Sequence, residues 1–307
     1  MTALPVEAVV VTWQSGFHAG ACLDSLKREG VENVIAVDNA SSDGTLACLR
    51  AHLPQERILA MPRNLGFAGA ANTGLERTRA PFVLLLNPDA ELFPGALRAL
   101  LEDAREHPQA GLRGPLLVDA RDKPCWDAAR GLPGLLDRLL TGSLCVSLFP
   151  SMACMRRDLL PTPATARVVP ALSGACLLVS REALEQVGPL DAGFFLYFED
   201  LDWCLRMGKA GRPCRFVPSA KVRHWGGASA ASAWGRSYLE NRRSELRYFR
   251  KHQGTLAVLI LQAFRVLDGF LRILLDLALL PLGERRGRPV YDYLRRDLDA
   301  FLAVLDT

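Results

Sequence analysis

The chain has 307 residues and half of them are apolar, enough to bury a sizeable core as one large domain or two small ones, so the class is globular. Its 37 Lys+Arg against 33 Asp+Glu leave a net charge of +4, far from the dense basic patch of a dedicated nucleic-acid binder, and no nucleic-acid partner is expected. Eight cysteines (Cys22, Cys48, Cys125, Cys145, Cys154, Cys176, Cys204 and Cys214) form no C-x-x-C pair, which argues against a zinc site or a disulfide framework and suits small buried hydrophobes in a reducing cytoplasm.

The N-terminal "MTALPVEAVVVTW" has no basic leader, carries too short an apolar run for a signal peptide, and flows straight into a strand pattern, so export is not expected. From Val6 to about Asp119, the β-rich runs "VEAVVVTW", "NVIAVDN", "RILAMP" and "FVLLLNPD" alternate with amphipathic stretches. That alternation predicts a mostly parallel sheet covered on both faces, with ligands bound beyond the carboxyl ends of its strands. Polar residues fall at those ends: Thr12 and Trp13, Asp38 and Asn39, Arg63 and Asn64, Asn87 and Asp89. Four polar strand ends in succession point to a nucleotide crevice. Asp43 in "SSDGT" is expected to cap the following helix, with Gly44 easing the turn. "NLGFAGAANTG" lacks Gly-x-Gly-x-x-Gly spacing, and its small residues suit close helix packing as well as they suit a ligand. In "FVLLLNPDAEL" Pro88 has no N–H to continue a ladder, so the buried strand stops and Asp89 emerges into the crevice.

Between about Arg121 and Ala166 periodicity is lost amid Pro, Gly and Leu, the pattern of an insertion or mobile loop. Order returns with "VVPALSGACLLVSREALEQVG", a strand and a short helix, then "FFLYFEDLDWCLRMGKAG" and "RPCRFVPSAKVRHWGG". Glu199, Asp200 and Asp202 crowd one helix start, where the dipole favours negative charge. A cap does not need three acids, and the preceding apolar "AGFFLYF" can shelter one from water. Asp202 and Arg206 lie at i,i+4 and suit a helix-surface pair. After about Ala233 the pattern is helical to the end. "LAVLILQAFRVLDGFLRILLDLALLPLG" carries Arg265, Asp268, Arg272 and Asp276 as one stripe on an otherwise apolar helix. Spanning a bilayer would bury all four at about 2.5–3.5 kcal/mol each, so the helix is expected to lie at a membrane interface or to pack on the catalytic domain or a second subunit.

Taken in order, "VVVTWQSG", "VDNASSDGT", "NLGFAGAANTG", "LLLNPDAEL", "SGACLLVSREAL", "FFLYFEDLDWCLR" and "RHWGG" resemble the family 2 inverting glycosyltransferases of GT-A fold, nearest the bacterial rhamnosyltransferase-like branch, over about residues 6 to 250. The resemblance implies an α/β GT-A fold with a C-terminal helical extension. Its domains would be a catalytic domain over about 1–235 and helices over about 236–307. Within the former, a donor-binding half would span about 1–120, a mobile insertion about 121–166 and an acceptor half about 165–235. It implies transfer of a sugar, L-rhamnose from dTDP-L-rhamnose, to a glycan or lipid-linked acceptor for a cell-surface polysaccharide, in the cytoplasm or on the inner face of the membrane.

Site roles follow from the same resemblance. Asp38 accepts the N3–H of a pyrimidine, as an acceptor-only carboxylate can. Thr12, Trp13, Arg63, Asn64, Asn87, Asp89 and Gly174 meet the donor. Asp89 and His224 hold Mg²⁺ or Mn²⁺, although Asn87 stands where the fuller family pattern has an acid. Asp200 is the base that deprotonates the acceptor hydroxyl, flanked by Glu199. Rival readings are another nucleotide-sugar donor, a sugar nucleotidyltransferase, for whose triphosphate loop "TWQSGFHAG" is a poor match, and a non-catalytic sugar-nucleotide binder, which needs neither Asp89 nor the acids around Asp200.

Overall fold

The computed structural model describes residues 5–141, 143–149, 151–152, 158, 162–226, 234–279, 284–285 and 288–289. They fall into two compact units, Met1–Leu132 with Leu159–Ser237, and Pro133–Asp158 with Tyr238–Thr307.

The first unit opens with β1 (Val6–Thr12), α1 (Ala19–Arg28), β2 (Val34–Asp38), α2 (Thr45–His52), β3 (Ile58–Ala60), α3 (Gly66–Leu75) and β4 (Phe82–Leu86). β1 pairs in parallel with β2 and β4, and β2 with β3; Thr12 lies opposite Asp38, and Asp38 opposite Ala60. The polar strand ends therefore share one edge. The strands can be apolar throughout because helices cover them: α1 buries Ala19, Cys22, Leu23 and Leu26 at helical spacing and leaves Lys27 and Arg28 outside. α3 sits so close that a Cβ on Gly74 would lie 2.4 Å from Val9 Cγ1.

Next come β5 (Ala90–Leu92), α4 (Ala96–Glu106), β6 (Leu112–Val118) and β7 (Ala129–Arg130). After the stretch assigned to the second unit, the chain returns as β8 (Arg167–Val169), β9 (Ala171–Leu172) and β10 (Cys176–Ser180). It continues through two helices, Arg181–Val187 and Glu199–Lys209, to β11 (Cys214–His224). The sheet order is β3-β2-β1-β4-β10-β6-β11-β5, with β8 also on β11. The predicted parallel arrangement holds through β4, beyond which the sheet is mixed. β10 starts beside the end of β4, with Cys176 opposite Leu86, and so must run antiparallel to it. β11 shifts register against β6 between Val217 and Lys221, at Pro218, and its end pairs antiparallel with β5. Beneath the sheet, Asp103 accepts hydrogen bonds from buried Arg113 (3.1 Å) and Arg215 (2.7 Å).

The second unit contains α5 (Leu135–Leu140) and α6 (Leu144–Leu148), both within the stretch read as an aperiodic insertion. With α7 and α8 denoting Arg181–Val187 and Glu199–Lys209, the C-terminal helices are α9 (Trp234–Gln253) and α10 (Thr255–Leu279), separated by Gly254 at φ +86°. Glu245 of α9 is fully buried and takes ion pairs from Arg138 of α5, from Arg242 (3.0 Å) and from Arg265 of α10 (2.7 Å). Asp268 accepts from the Leu144 N–H at 2.6 Å, an open donor at the start of α6, and pairs with Arg272 at 2.8 Å. Where the pattern predicts helix to the end, Glu284–Arg285 and Arg288–Pro289 pair as an antiparallel ladder.

Candidate active site

Two acidic stations stand at the carboxyl edge of the sheet. β4 ends at Leu86, the Asn87 N–H donates to Ala175 O at 2.9 Å, and Asn87-Pro88-Asp89 turns into β5. Because β5 pairs with the end of β11 (Ala90 opposite His224), the His224 ring is brought 135 positions along the chain to Asp89, Nε2 to Oδ1 3.4 Å. The Trp225 N–H locks the same turn by donating to Asp89 O at 3.0 Å. Burial alone would raise the Asp89 pKa, but the hydrogen bond and charge of His224 outweigh it and hold the carboxyl below its ordinary range. Burial likewise disfavours charge on His224, and Asp89 overcomes it, raising the imidazole pKa.

These two side chains by themselves would suit a divalent ion that takes most of its ligands from elsewhere. One carboxylate and one imidazole are suitable donors, and among the described residues no cluster of three or more His, Cys, Asp or Glu could form a full protein cage. Ligands from outside the described side chains would have to complete the shell. Sequence reasoning missed the surroundings of this station: His18, whose charge helps lower the Asp89 pKa; Trp225, 5.8 Å from His18 between ring centroids; and Glu91, which accepts from Trp225 Nε1 at 2.8 Å. Phe17, packed edge-on against His18, is 92% exposed.

The second station is the start of α8. Tyr197 (φ 67°) and Phe198 (φ 65°) are consecutive non-glycine residues in the left-handed region, a strained entry of the kind that collects at functional sites. They deliver Glu199 and Asp200, both buried. Asp200 Oδ2 accepts from Arg130 at 2.7 Å and from the Gly174 N–H at 3.0 Å, while Oδ1 accepts from the Leu201 N–H at 2.8 Å. Gly174 belongs here for space, since an added Cβ would sit 3.3 Å from that of Asp200. Glu199 is 7% exposed, and its Oε2 has no hydrogen-bond partner among the described residues. Burial and then the Asp200 charge push its pKa up to about 8. Of two adjacent carboxyls, one thus keeps its proton near neutrality and the other faces a guanidinium, the separation of acid and base roles that active sites use. Burial disfavours the Arg130 charge, yet Asp200 and Asp127 outweigh it, so the guanidinium is held more firmly protonated than usual. Nothing local marked Arg130: it lies 70 positions before Asp200, in a stretch read as an insertion, and reaches the site because β7 pairs with β9 just before Gly174.

The segment Ser173–Ala175 joins the stations, touching Asp200 through Gly174 and Asn87 through Ala175. Farther along the edge, Thr12 Oγ1 donates to Asp38 Oδ1 at 3.2 Å and the Ser41 N–H to Oδ2 at 3.2 Å. Trp13 is half-buried beside them and its N–H donates to Ser15 Oγ at 3.2 Å. Asn64 turns to structure: its Oδ1 accepts from Asn39 Nδ2 at 2.9 Å and from the Gly66 N–H at 2.8 Å. Arg63 is exposed. The N-cap of α2 is Gly44 and not Asp43, which stands one residue earlier and accepts from the Thr45 N–H at 3.0 Å and the Gly16 N–H at 3.1 Å.

The small-residue motif proves to be a clamp on the loop before α8. Gly66 (φ +76°) lies so close to the Phe195 backbone that a Cβ would stand 2.4 Å from Phe195 O, and the Phe67 N–H donates to that oxygen at 2.7 Å. The Asn72 amide holds both the N–H and the C=O of Leu190, at 3.1 and 2.8 Å. Asp202 and Arg206 do pair, at 2.8 Å, but not as a helix-surface pair. Asp202 is fully buried, and Arg206 also donates to Val187 O and Pro189 O, fastening α8 to the turn after α7.

The mixed sheet with its flanking helices has the GT-A fold. The chain belongs to glycosyl transferase family 2, whose model matches residues 8–188. It is 36% identical over 241 residues to the N-acetylglucosaminyl-diphospho-decaprenol L-rhamnosyltransferase of Mycobacterium tuberculosis, covering 72% of this chain and 75% of that protein. Among solved structures it is similar in fold to a Pyrobaculum calidifontis mannosyltransferase in complex with GDP-Man and Mn²⁺ (TM-score 0.58, 15% identity, 98% of this chain and 86% of that one). A GalNAc-T7 structure with UDP, GalNAc and Mn²⁺ is also similar (TM-score 0.57, 15% identity, 99% of this chain but 56% of that one).

Proposed function

We propose that the protein moves L-rhamnose from dTDP-L-rhamnose to a lipid-linked glycan acceptor with inversion at the anomeric carbon, at the cytoplasmic face of the membrane, in the synthesis of a cell-surface polysaccharide. The carboxyl pair at the start of α8 carries the chemical reading, and the activity that names the mycobacterial relative supports the sugar and the acceptor class. Asp200 takes the proton of the acceptor hydroxyl as that oxygen bonds to the anomeric carbon, while the bond from that carbon to the diphosphate breaks and dTDP leaves with the electron pair. Arg130 and the Gly174 N–H hold the carboxylate in place, and Oδ1 keeps a lone pair beyond the one given to Leu201. Glu199, protonated near neutrality, adds no second negative charge beside the base. Asp89 and His224 would hold Mg²⁺ or Mn²⁺, which when bound supplies positive charge to the leaving diphosphate. Asp38 and Thr12 face the base of the nucleotide, with Trp13, Arg63 and Asn87 along the donor.

The test is release of the nucleoside diphosphate from a donor panel with and without Mn²⁺. Turnover of dTDP-L-rhamnose should exceed that of UDP-glucose, UDP-galactose and GDP-mannose; a preference for a UDP-sugar would overturn the donor and leave the transferase class standing. The product's anomeric configuration decides inversion.

A further inference from the structure

The α10 helix is built inside out. Its polar stripe faces the protein: Arg265 lies 2.7 Å from Glu245, Asp268 bonds the Leu144 N–H and Arg272, and Asp276 is fully buried. Its apolar side faces out. Leu256, Leu259, Ile260, Val266, Leu267, Phe270, Leu271, Leu274 and Leu277 are all exposed, from 37% at Val266 to 70% at Leu256. They recur at helical spacing along about 30 Å of helix. Scattered exposed leucines are ordinary, but a continuous aliphatic face on the outside of a helix marks a surface that water does not normally cover. Among the described residues no helix is long and apolar enough to cross a membrane, so the face suits lying on a nonpolar surface.

Charge identifies the occupant. α9 has six Lys or Arg against two Asp or Glu, an excess of four, whereas α10 has two of each. That excess equals the net +4 of the whole chain. Arg243, Arg247, Arg250 and Lys251 are exposed on α9, which the Glu245–Arg265 pair fastens beside α10. Stacking a second copy on the same face would bring two such basic helices towards each other, whereas an anionic lipid surface meets aliphatic side chains and cations together. We propose that the outward face of α10, flanked by the basic α9, docks the protein on an anionic lipid bilayer without spanning it. The inference stands on this unit alone and holds whichever sugar is moved.

The experiment is sedimentation of the full-length protein with phosphatidylcholine vesicles with and without phosphatidylglycerol, at low and high salt, with donor hydrolysis in solution measured alongside. The protein should sediment with the anionic vesicles and bind several-fold less in high salt. Leu267→Glu with Phe270→Glu should weaken vesicle binding by about tenfold or more while leaving donor hydrolysis unchanged. Arg243→Ser with Arg250→Ser, which disturbs no apolar packing, should weaken it at low salt only. Three outcomes would overturn the proposal: full-length protein that ignores vesicles as a monomer, protein that ignores them as a particle of twice the monomer mass, and vesicle binding unchanged in both variants. Lost binding with intact hydrolysis in the variants supports docking; absent hydrolysis in the wild type bears only on the transferase reading.

Discussion

Glu199 and Glu245 are both glutamates buried in helices, 7% and 0% exposed, yet their surroundings are opposite. Glu245 has three arginines around it, on α5, α9 and α10. The Oε2 of Glu199 has no hydrogen-bond partner among the described residues, and after burial the Asp200 charge is what most disfavours its ionisation. Buried charge that is fully met tends to be architecture, because removing one partner strands the others. A buried ionisable group left without a counter-charge is retained against a cost and is where chemistry is to be sought. Asp200, with one arginine and two amides, and Asp89, with one imidazole, lie between these extremes.

The comparison can be broken from its strongly neutralised end first. Glu245→Ala should strand Arg138, Arg242 and Arg265 and cost about 3–5 kcal/mol, read as a lowered urea midpoint; a loss below about 1 kcal/mol would make that cluster an ordinary surface network. Asp200→Asn should cut transfer by at least about 100-fold with donor affinity nearly unchanged, because a base acts in the transition state and not on bound donor. Equal turnover in mutant and wild type would move the base elsewhere, with Glu199 the next candidate. Asp89→Ala should weaken dTDP binding by about tenfold when Mg²⁺ or Mn²⁺ is present, measured by calorimetry with and without chelator. If wild-type binding ignores the chelator, Asp89 serves as a hydrogen-bond acceptor and the proposed metal role of His224 falls.

The smallest effect on turnover is expected from Glu199→Gln, which copies the protonated form and should stay within about threefold of wild type at pH 7. Its stability signature is larger and depends on pH. In the unfolded chain Glu199 ionises near its ordinary value of 4.5, but in the folded protein only near 8. The folded state therefore binds the extra proton between those values, and wild-type stability falls as pH rises through that window and levels off above it. Glu199→Gln lacks this fall, so its stability relative to wild type should rise from pH 5 to pH 8 in urea titrations. A constant difference would mean that Glu199 is already ionised at pH 5.

Much of the donor half was legible because its signals are local. Apolar runs broken by polar residues located the ends of β1 at Thr12 and β2 at Asp38 and the turn after β4 that carries Asp89, and "SSDGT" marked the start of α2, where Asp43 accepts from the Thr45 N–H. Other signals were ambiguous in kind. "NLGFAGAANTG" is equally a ligand loop and a packing surface until Phe195 and Leu190 are seen against it. Asn64 read as a crevice residue, but its amide is taken by Asn39 and Gly66. The spacing of Asp202 and Arg206 was right, yet spacing does not say whether a pair is wet or buried.

By itself the sequence determined the alternation of strands and helices, the polar edge of the first four strands, the acids of "NPD" and "FEDLDWCLR", and the charged stripe of the last long helix. Each is written in residues a few positions apart, where backbone geometry alone sets which side chains share a face. Tertiary structure alone decided that His224 meets Asp89, that Arg130 meets Asp200 and that Glu245 gathers three arginines, since these contacts depend on strand register and on helices distant in the chain. It also decided which side of α10 faces out. Periodicity divides a helix into a polar and an apolar face, but the direction of each is set by what packs against it, and here Glu245 and the start of α6 draw the charges inward and leave the leucines outside.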